Sequence, residues 1–380
     1  MEGAGRRRGL AVREGEERRG APVILYTLGS LKVGGAEIRS LELLRALKRE
    51  RPGLEIVLYV TCREGGPLAA DFRALGVVIE GPRGPAGMAH LWLTCARRRV
   101  SLLHCNADIV SGFYCMAAAL AGVKRRIAHY RVTAPPGNGL YQLLLLHLGR
   151  MLLRLFATDV IGVCAAARTV AGVSDARWTT LYNGISRPTA AEGRAADGEP
   201  RRLLFLGRIH PEKGYKLAVD IFERVAARSA ARAELHFVGG GEGGEIERLR
   251  ARISASPAAG AIHVHGLSRT PYDHLAGASL LLLPSAREGL SGSVLEALSH
   301  GVPVVASDLP GPREIKEGTA GVRLVPRDSP LDRWADAIEA ALADPSRDEI
   351  KEAFARSPFL FEAHKKAIEH LWSLGPAAER

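Results

Sequence analysis

The chain of 380 residues is too long for one ordinary domain and fits two domains of about 150–200 residues each. Hydrophobic residues make up 47% of it and aromatic residues only 6%, which favours layered α/β packing over an aromatic-rich β-sandwich. The formal charge of +11 favours anionic partners such as phosphates or acidic lipids without choosing among them, and scattered arginines also fit an ordinary solvated surface.

The segment at residues 1–20 holds six arginines and four glutamates and almost no apolar residue. It therefore predicts a disordered basic tail and not a signal peptide, which would need an apolar stretch. The cysteines are odd in number and show no C-x-x-C spacing, so no disulfide or zinc framework is indicated and a cytoplasmic location is expected. They are Cys62, Cys95, Cys105, Cys115 and Cys164.

Short apolar runs alternate with helical patterns along the chain, which predicts parallel sheets covered by helices on both faces. The first helix is expected at about residues 36–49. The predicted strands are residues 22–27, 55–60, 76–80, 101–104, 126–129 and 160–163, the last leading into 182–184, and then 202–206, 235–238, 261–265, 280–284, 302–306 and 322–325.

A polar segment with two prolines and two glycines, residues 186–201, interrupts this rhythm and reads as a linker. We therefore predict two doubly wound, Rossmann-like α/β domains, residues 21–187 and 188–358, with a cleft between them. Ligands of such sheets bind beyond the carboxyl ends of the strands.

The most apolar stretch, residues 140–157, includes His147, Arg150 and Arg154. It is too short and too charged for a membrane span. A buried helix is the ordinary interpretation, and a helix facing a membrane surface or the acceptor is the alternative.

The loop after the first strand carries Gly34 and Gly35 ahead of a helix, with Glu37 in the first turn. It lacks the G-x-G-x-x-G pattern, so a dinucleotide fingerprint is poorly supported, but a close backbone approach to a ligand is expected. His104 and His129 each end a strand at the same edge, where each could face the cleft or be an ordinary core histidine.

The second domain opens with a buried strand that ends at Gly207, followed by Arg208 and Lys213 just before a helix beginning near Tyr215. Two cations beside a helix N-terminus suit a diphosphate. A surface loop with cations facing water is the alternative.

Two further strand ends lie at the same predicted edge. Gly239 begins a glycine run that allows a close backbone approach or simply forms a tight turn. In the next strand His263 and His265 share one face, where backbone groups could read a base. A metal site there lacks further ligands nearby in the sequence, so surface or packing histidines are the default interpretation.

The most informative segment is residues 281–308, in which a buried strand, a loop and a short helix follow one another. Glu288 on the loop and Glu296 in the helix stand eight residues apart, so two carboxylates could hold a hydroxyl-rich ligand at both ends. The residues between them at the helix start, with N–H groups that could face phosphate, are Ser291, Gly292 and Ser293. Ser293 and Glu296 also match an S-x-x-E capping box, which would stabilise the helix without any ligand.

Taken in order, several of these segments resemble retaining glycosyltransferase family 4, among the glycosyltransferases of group 1, which has the GT-B fold. The resemblance covers roughly residues 22–375. The segments that carry it are residues 33–37 (VGGAE), 182–185 (YNGI), 206–214 (LGRIHPEKG), 237–242 (FVGGGE) and 288–307 (EGLSGSVLEALSHGVPVVAS).

The resemblance implies a role for each matching residue. Arg208 and Lys213 would neutralise the donor diphosphate. Glu296 would bind the donor ribose hydroxyls, and Glu288 would contact the donor sugar near the reaction centre. His129 would touch the donor sugar.

Other matching parts would form the walls of the donor site. Gly34 and Gly35 would approach the diphosphate from the first domain, and residues 359–380 would form a helix that packs back on that domain. Further contacts to the donor, several of them through the backbone, are expected from Gly207, Gly239, His265, Leu290, Ser291, Gly292 and Ser293.

The expected function is transfer of a sugar from a nucleotide-diphosphate donor to a glycan, lipid-linked or small-molecule acceptor, with retention of configuration. No D-x-D motif stands at a strand end, so no metal or other cofactor is expected to be required, and no nucleic acid is expected as partner. An association with the inner membrane surface is left open. The alternatives are a nucleotide-sugar epimerase or hydrolase on the same fold, or a non-catalytic nucleotide-sugar-binding module.

Overall fold

The structure, a computed structural model, describes residues 22–61, 66–134, 139–186, 200–228, 232–268 and 271–374. The predicted tail at residues 1–20 and most of the predicted linker lie outside these ranges, as does Cys62. The other four cysteines are buried free thiols.

The first half of the chain forms a seven-stranded parallel sheet in the order β3-β2-β1-β4-β5-β6-β7. Its strands are β1 (Val23–Leu28), β2 (Glu55–Val60), β3 (Val77–Glu80), β4 (Leu102–Cys105), β5 (Arg125–Tyr130), β6 (Asp159–Gly162) and β7 (Trp178–Thr180). Successive residues of β1, such as Leu25 and Tyr26, are both buried, as they must be in a sheet covered on two faces. The strand order reverses between β1 and β4, which opens a crevice at the carboxyl ends.

The second half forms a six-stranded parallel sheet in the order β10-β9-β8-β11-β12-β13. Its strands are β8 (Arg201–Leu206), β9 (Ala233–Val238), β10 (Ile262–Gly266), β11 (Leu280–Leu283), β12 (Val304–Ser307) and β13 (Val322–Val325). Here the order reverses between β8 and β11. The prediction of two doubly wound α/β domains is confirmed.

Helices cover both sheets. Within the described ranges they are α1 (Gly35–Glu50), α2 (Ala69–Arg73), α3 (Pro85–Arg98), α4 (Ser111–Leu120), α5 (Leu140–Phe156), α6 (Ala167–Ala171), α7 (Tyr215–Arg228), α8 (Glu245–Ser254), α9 (Pro271–Ala276), α10 (Gly292–Ser299), α11 (Pro310–Gly318), α12 (Leu331–Ala343), α13 (Arg347–Ala355) and α14 (Phe361–Leu371). None of the helices that the structure describes is long and apolar enough to cross a bilayer.

The strand β7 was not predicted, and residues 182–184, into which the last predicted strand of this half leads, contain no strand. The sequence Trp178-Thr179-Thr180 has no apolar alternation, so periodicity alone cannot find it. The Trp178 ring instead closes the sheet edge by packing over Gly162, where an added Cβ would lie 2.2 Å from the ring.

The prediction of a buried helix at residues 140–157 is correct for only one face of α5. On that face Gly112 lets α4 and α5 touch, because a Cβ added there would lie 2.2 Å from the Gly149 carbonyl oxygen. On the other face a stripe of large apolar side chains spaced three and four residues apart is exposed. Its members are Tyr141, Leu144, Leu148, Met151 and Leu155, between 45% and 74% exposed.

The helix α14 packs on the first domain although it follows the second in sequence. Ile368 and Trp372 join the core of the first sheet. Arg51 donates a hydrogen bond to Glu369 over 2.5 Å. The chain therefore returns from the second domain to the first, and α14 contributes to the interior of the first domain.

Candidate active site

The carboxyl ends of β8 and β9 meet at two glycines. Gly207 and Gly239 have φ of +152° and +148°, backbone that other residues rarely adopt. A Cβ added at Gly239 would lie 1.8 Å from the Gly207 carbonyl oxygen, whereas one added at Gly207 would meet no atom within 4 Å. The two loops are therefore packed against each other, and Gly207 borders open space.

The loop after β8 brings a lysine to a buried glutamate. A short 3-10 turn places Lys213 just before α7, and its Nζ donates to Glu288 Oε1 over 2.6 Å. Ser285 Oγ donates to the same oxygen over 2.8 Å. The Glu288 side chain is only 6% exposed, so its carboxylate is held away from bulk water. Arg208 is exposed and has no hydrogen bond or ion pair with the described residues.

The helix α10 begins beside this pair with backbone N–H groups that no side chain caps. Ser291 is the N-cap residue, and its hydroxyl lies 3.2 Å from that of Ser293 without bonding the backbone. A Cβ added at Gly292 would meet nothing within 4 Å, so the first turn also borders open space. Such a helix start suits an anionic group. Leu290 is buried under it.

The capping-box alternative for Glu296 is wrong. Ser293 lies inside α10 and is not its N-cap residue. The Glu296 carboxylate instead accepts a hydrogen bond of 2.8 Å from Arg39 Nη2 of the first domain. Burial raises the pKa of Glu296, and the Arg39 charge opposes that shift.

Arg39 is a site residue that the sequence analysis missed. It is 7% exposed and also contacts Tyr272 Oη over 3.2 Å and Glu42 over 2.7 Å. Its position was a detectable signal, because residues 39, 43 and 47 form one stripe of an amphipathic helix that is otherwise leucine. An arginine in that stripe needs a partner, and here the partner lies across the cleft.

The first domain faces these groups with its own strand ends. Gly34 is the N-cap residue of α1, and a Cβ added at Gly35 would meet nothing within 4 Å. Thr133 Oγ1 donates to the Glu288 carbonyl oxygen over 2.8 Å. A Cβ added at Gly289 would lie 2.5 Å from the Arg131 carbonyl oxygen. The loop after β5 therefore touches the loop that carries Glu288.

His129 lies near the end of β5, buried, in a chain of three hydrogen-bonded rings. Trp372 Nε1 is 3.0 Å from His104 Nδ1, and His104 Nε2 is 3.1 Å from His129 Nδ1. Burial lowers the pKa of both histidines well below the usual value, so both are neutral near pH 7.

The direction of these hydrogen bonds follows from the tryptophan. An indole nitrogen can only donate, so His104 accepts at Nδ1 and carries its proton on Nε2. That proton is donated to His129 Nδ1, which leaves the His129 proton on Nε2. His129 Nε2 is buried and has no partner among the described residues. The sequence could not indicate this chain, because Trp372 stands far from His104.

The His265 side chain contacts other histidines. Its ring is 2.9 Å from His236 and packs against His274. None of its side-chain contacts joins it to Lys213, Glu288 or Glu296. Its proposed contact with the donor stays a prediction.

Residues 200–344 match the family described as Glycosyl transferases group 1. The putative glycosyltransferase EpsF of Bacillus subtilis is 28% identical over 393 residues, covering 92% of this chain and 96% of that protein. The capsular polysaccharide biosynthesis glycosyltransferase CapH of Staphylococcus aureus is 21% identical over 333 residues, covering 84% of this chain and 90% of that protein.

Among solved structures, HepE of Anabaena in complex with UDP has a TM-score of 0.75 at 19% identity, covering 92% of this chain and 99% of that one. The same protein with UDP-glucose gives a TM-score of 0.74 at 18% identity, again over 92% and 99% of the two chains. This likeness confirms the predicted fold. Residues 200–344 thus match the glycosyltransferases of group 1, and the chain as a whole has the GT-B fold.

Proposed function

We propose that the protein transfers a sugar from a nucleoside-diphosphate donor to an acceptor hydroxyl with retention of anomeric configuration. The observation that carries this proposal is the partly buried Lys213–Glu288 pair at the carboxyl edge of the second sheet, where the Glu288 loop contacts the loop after β5. A cation, a carboxylate and a helix start meet there at the junction of two domains.

In this proposal the donor diphosphate lies between Arg208, Lys213 and the uncapped N–H groups at Ser291–Ser293. Gly34, Gly35, Gly207 and Gly239 let the backbone approach it. Glu296 binds the ribose hydroxyls with the oxygen that Arg39 leaves available. Glu288 contacts the sugar, and His129 donates its Nε2 proton in a hydrogen bond to a sugar hydroxyl.

The proposed step breaks the bond between the anomeric carbon and the diphosphate oxygen, which leaves with the electron pair. The acceptor oxygen forms the new bond on the same face, and its proton passes to the leaving phosphate. Arg208 and Lys213 stabilise the negative charge that develops on the diphosphate. We propose that these cations do this without a metal ion, and that contact between the domains excludes water.

The first test is donor binding. In calorimetric titrations with UDP and other nucleoside diphosphates we expect one of them to bind, and Glu296→Ala to raise its dissociation constant by about 10-fold. A hydrogen bond to a charged group contributes about 1.5–3 kcal/mol, and we expect the lower end because Arg39 already holds one carboxylate oxygen.

Glu42→Ala is the matched control, since Glu42 is the second carboxylate on Arg39 and its loss removes the same charge. It should leave diphosphate affinity unchanged. If the two variants weaken binding equally, Glu296 acts only through Arg39 and the ribose contact is wrong. Donor turnover that no added acceptor accelerates would favour an epimerase or hydrolase, and binding without turnover would favour a non-catalytic module.

We also propose that the exposed stripe on α5, defined by Tyr141, Leu144, Leu148, Met151 and Leu155, rests on an anionic lipid surface that carries the acceptor. Apolar side chains and neighbouring cations are the two requirements for interfacial binding. Trp92 on α3 and Leu120 on α4 add exposed apolar side chains to the adjacent helices. Exposed cations on the same helices or next to them are Arg97, Arg98, Arg99, Lys124 and Arg154.

We expect the protein to sediment with vesicles that contain phosphatidylglycerol and to release them at high salt. Replacing Leu144 and Leu148 with serine should reduce the bound fraction several-fold, because each apolar side chain contributes about 1.5–3 kcal/mol on burial. The control replaces Leu267, an equally exposed leucine of the second domain. A stripe that instead pairs two copies of the chain would show concentration-dependent dimers without lipid, which would contradict the membrane proposal.

A further inference from the structure

A group of histidines lies on one face of the outer strands of the second sheet, away from the Lys213–Glu288 pair. Glu234 and His236 alternate along β9, so both point to the face opposite the buried Leu235 and Phe237. The next strand, β10, pairs with β9 in a register that sets His263 directly opposite His236. Three side chains that can bind a metal therefore converge.

Their donor atoms are close enough to share one ion. Glu234 Oε2 is 3.0 Å from His236 Nε2 and 4.0 Å from His263 Nε2, and all three atoms lie within 4.8 Å of one another. The ligands of a tetrahedral zinc ion stand about 3.3–3.6 Å apart, given metal–ligand distances of about 2.0–2.2 Å. Small rotations of the partly exposed His263 side chain would close the remaining gap.

A fourth residue orients the central ligand. His236 Nδ1 lies 2.9 Å from His265 Nε2, with the two rings stacked at an interplanar angle of 7°. When Nδ1 carries the proton and donates it to His265, Nε2 of His236 is left as a lone pair aimed at Glu234. Metal-binding histidines commonly use their second nitrogen in this way.

Metal binding needs neutral imidazole and ionised carboxylate, so protons compete with the ion at all three side chains.

We propose that Glu234, His236 and His263 bind one divalent transition-metal ion, with Zn²⁺ the expected ion and His265 a positioning residue. Two imidazoles and one carboxylate fit zinc, whereas magnesium and calcium prefer oxygen ligands only. Water completes the coordination. The proposal does not depend on the proposed transfer reaction, because no contact joins these side chains to the Lys213–Glu288 pair.

A structural consequence follows from where the strands end. Gly239, which follows β9, donates its N–H to the carbonyl oxygen of Gly266 at the end of β10 over 2.8 Å. An ion that ties His236 to His263 would hold the outer strand β10 against β9 and steady the Gly239 loop. Bound zinc should therefore raise the melting temperature.

The test is a calorimetric titration of metal-free, tag-free protein with ZnCl₂, repeated with Co²⁺ to record the ligand-field absorption. We expect one ion per chain and a higher melting temperature with zinc. His236→Gln or Glu234→Gln should weaken binding by at least about 100-fold, and His265→Gln by about 10- to 100-fold, as is usual for partners that orient a ligand. Affinity should fall with pH as protons compete for the imidazoles.

His274→Gln is the matched control, because His274 contacts the same group through the His265 ring without belonging to the ligand set. It should leave zinc affinity unchanged. Absence of zinc binding would overturn the proposal, as would equal affinity in the parent protein and in the Glu234 and His236 variants. Melting temperatures recorded without zinc show that each variant is folded.

Discussion

The Lys213→Ala variant should lose about 100- to 1,000-fold in kcat, the range seen when one preorganised group that stabilises developing charge is removed. Among the described residues Glu288 is the charged partner of Lys213, and the Lys213 side chain is 23% exposed. A diphosphate would be a second anion for the same ammonium, and its charge grows as the sugar leaves. The loss should therefore appear in kcat more than in donor affinity.

The measurement is turnover of the donor that calorimetry identifies, either as transfer or as slow hydrolysis without acceptor. Lys216→Ala is the matched control, since Lys216 lies three residues later in the first turn of α7 and is exposed. It removes the same charge without touching Glu288. Equal turnover in Lys213→Ala and the parent protein, at unchanged melting temperature, would show that the site assignment is wrong.

Glu288→Gln separates the two members of the pair. It keeps the shape and the hydrogen bonds that Ser285 and Lys213 can donate, while removing the charge that holds Lys213. If Glu288 only orients Lys213, its variant should lose less activity than Lys213→Ala. If it contacts the sugar directly, the loss should be comparable.

The features that could be predicted from the sequence are those that local patterns encode. A buried strand followed by glycine and then a helix start defines the edge at Gly207, and the same pattern defines the edge at Glu288. These patterns fix both the fold class and the neighbourhood of Lys213 and Glu296. The strand β7 was not predicted, because two of its three residues are threonines and give no apolar alternation.

The partners of the site residues could not be predicted in the same way. A local S-x-x-E pattern suggested a cap for Glu296, but the carboxylate pairs with Arg39, more than 250 residues away in sequence. Whether a local or a distant partner prevails depends on how the two domains meet, and one sequence does not encode that in any short pattern. The arginine in the leucine stripe of α1 was the one sequence feature that indicated a partner outside its own helix.

The second large expected effect concerns the hydrogen-bonded rings of Trp372, His104 and His129. Trp372→Phe should lower kcat by about 10- to 100-fold, because an unsatisfied buried polar group costs about 1–3 kcal/mol. Without the indole donor, His104 is free to protonate Nδ1, and His129 can then protonate Nδ1 instead of Nε2. In that tautomer His129 would present a lone pair on Nε2 to the sugar hydroxyl, where a proton is needed. In a catalytic triad the equivalent tautomer error costs about 10⁴-fold in kcat, so the effect proposed here is moderate by comparison.

The effect must be separated from simple loss of packing, since Trp372 is buried with Ile368 in the core of the first domain. Ile368→Val trims the same helix without removing a hydrogen bond, and it should lower the melting temperature but not kcat. The decisive comparison is made in a His129→Ala background. There the ring chain has no end group, so Trp372→Phe should have no further effect on kcat. An equal loss of kcat with and without His129 would mean that Trp372 acts through packing. A loss of kcat that disappears in the His129→Ala background would instead mean that Trp372, at the end of α14, acts by setting the tautomer in which His129 donates to the sugar.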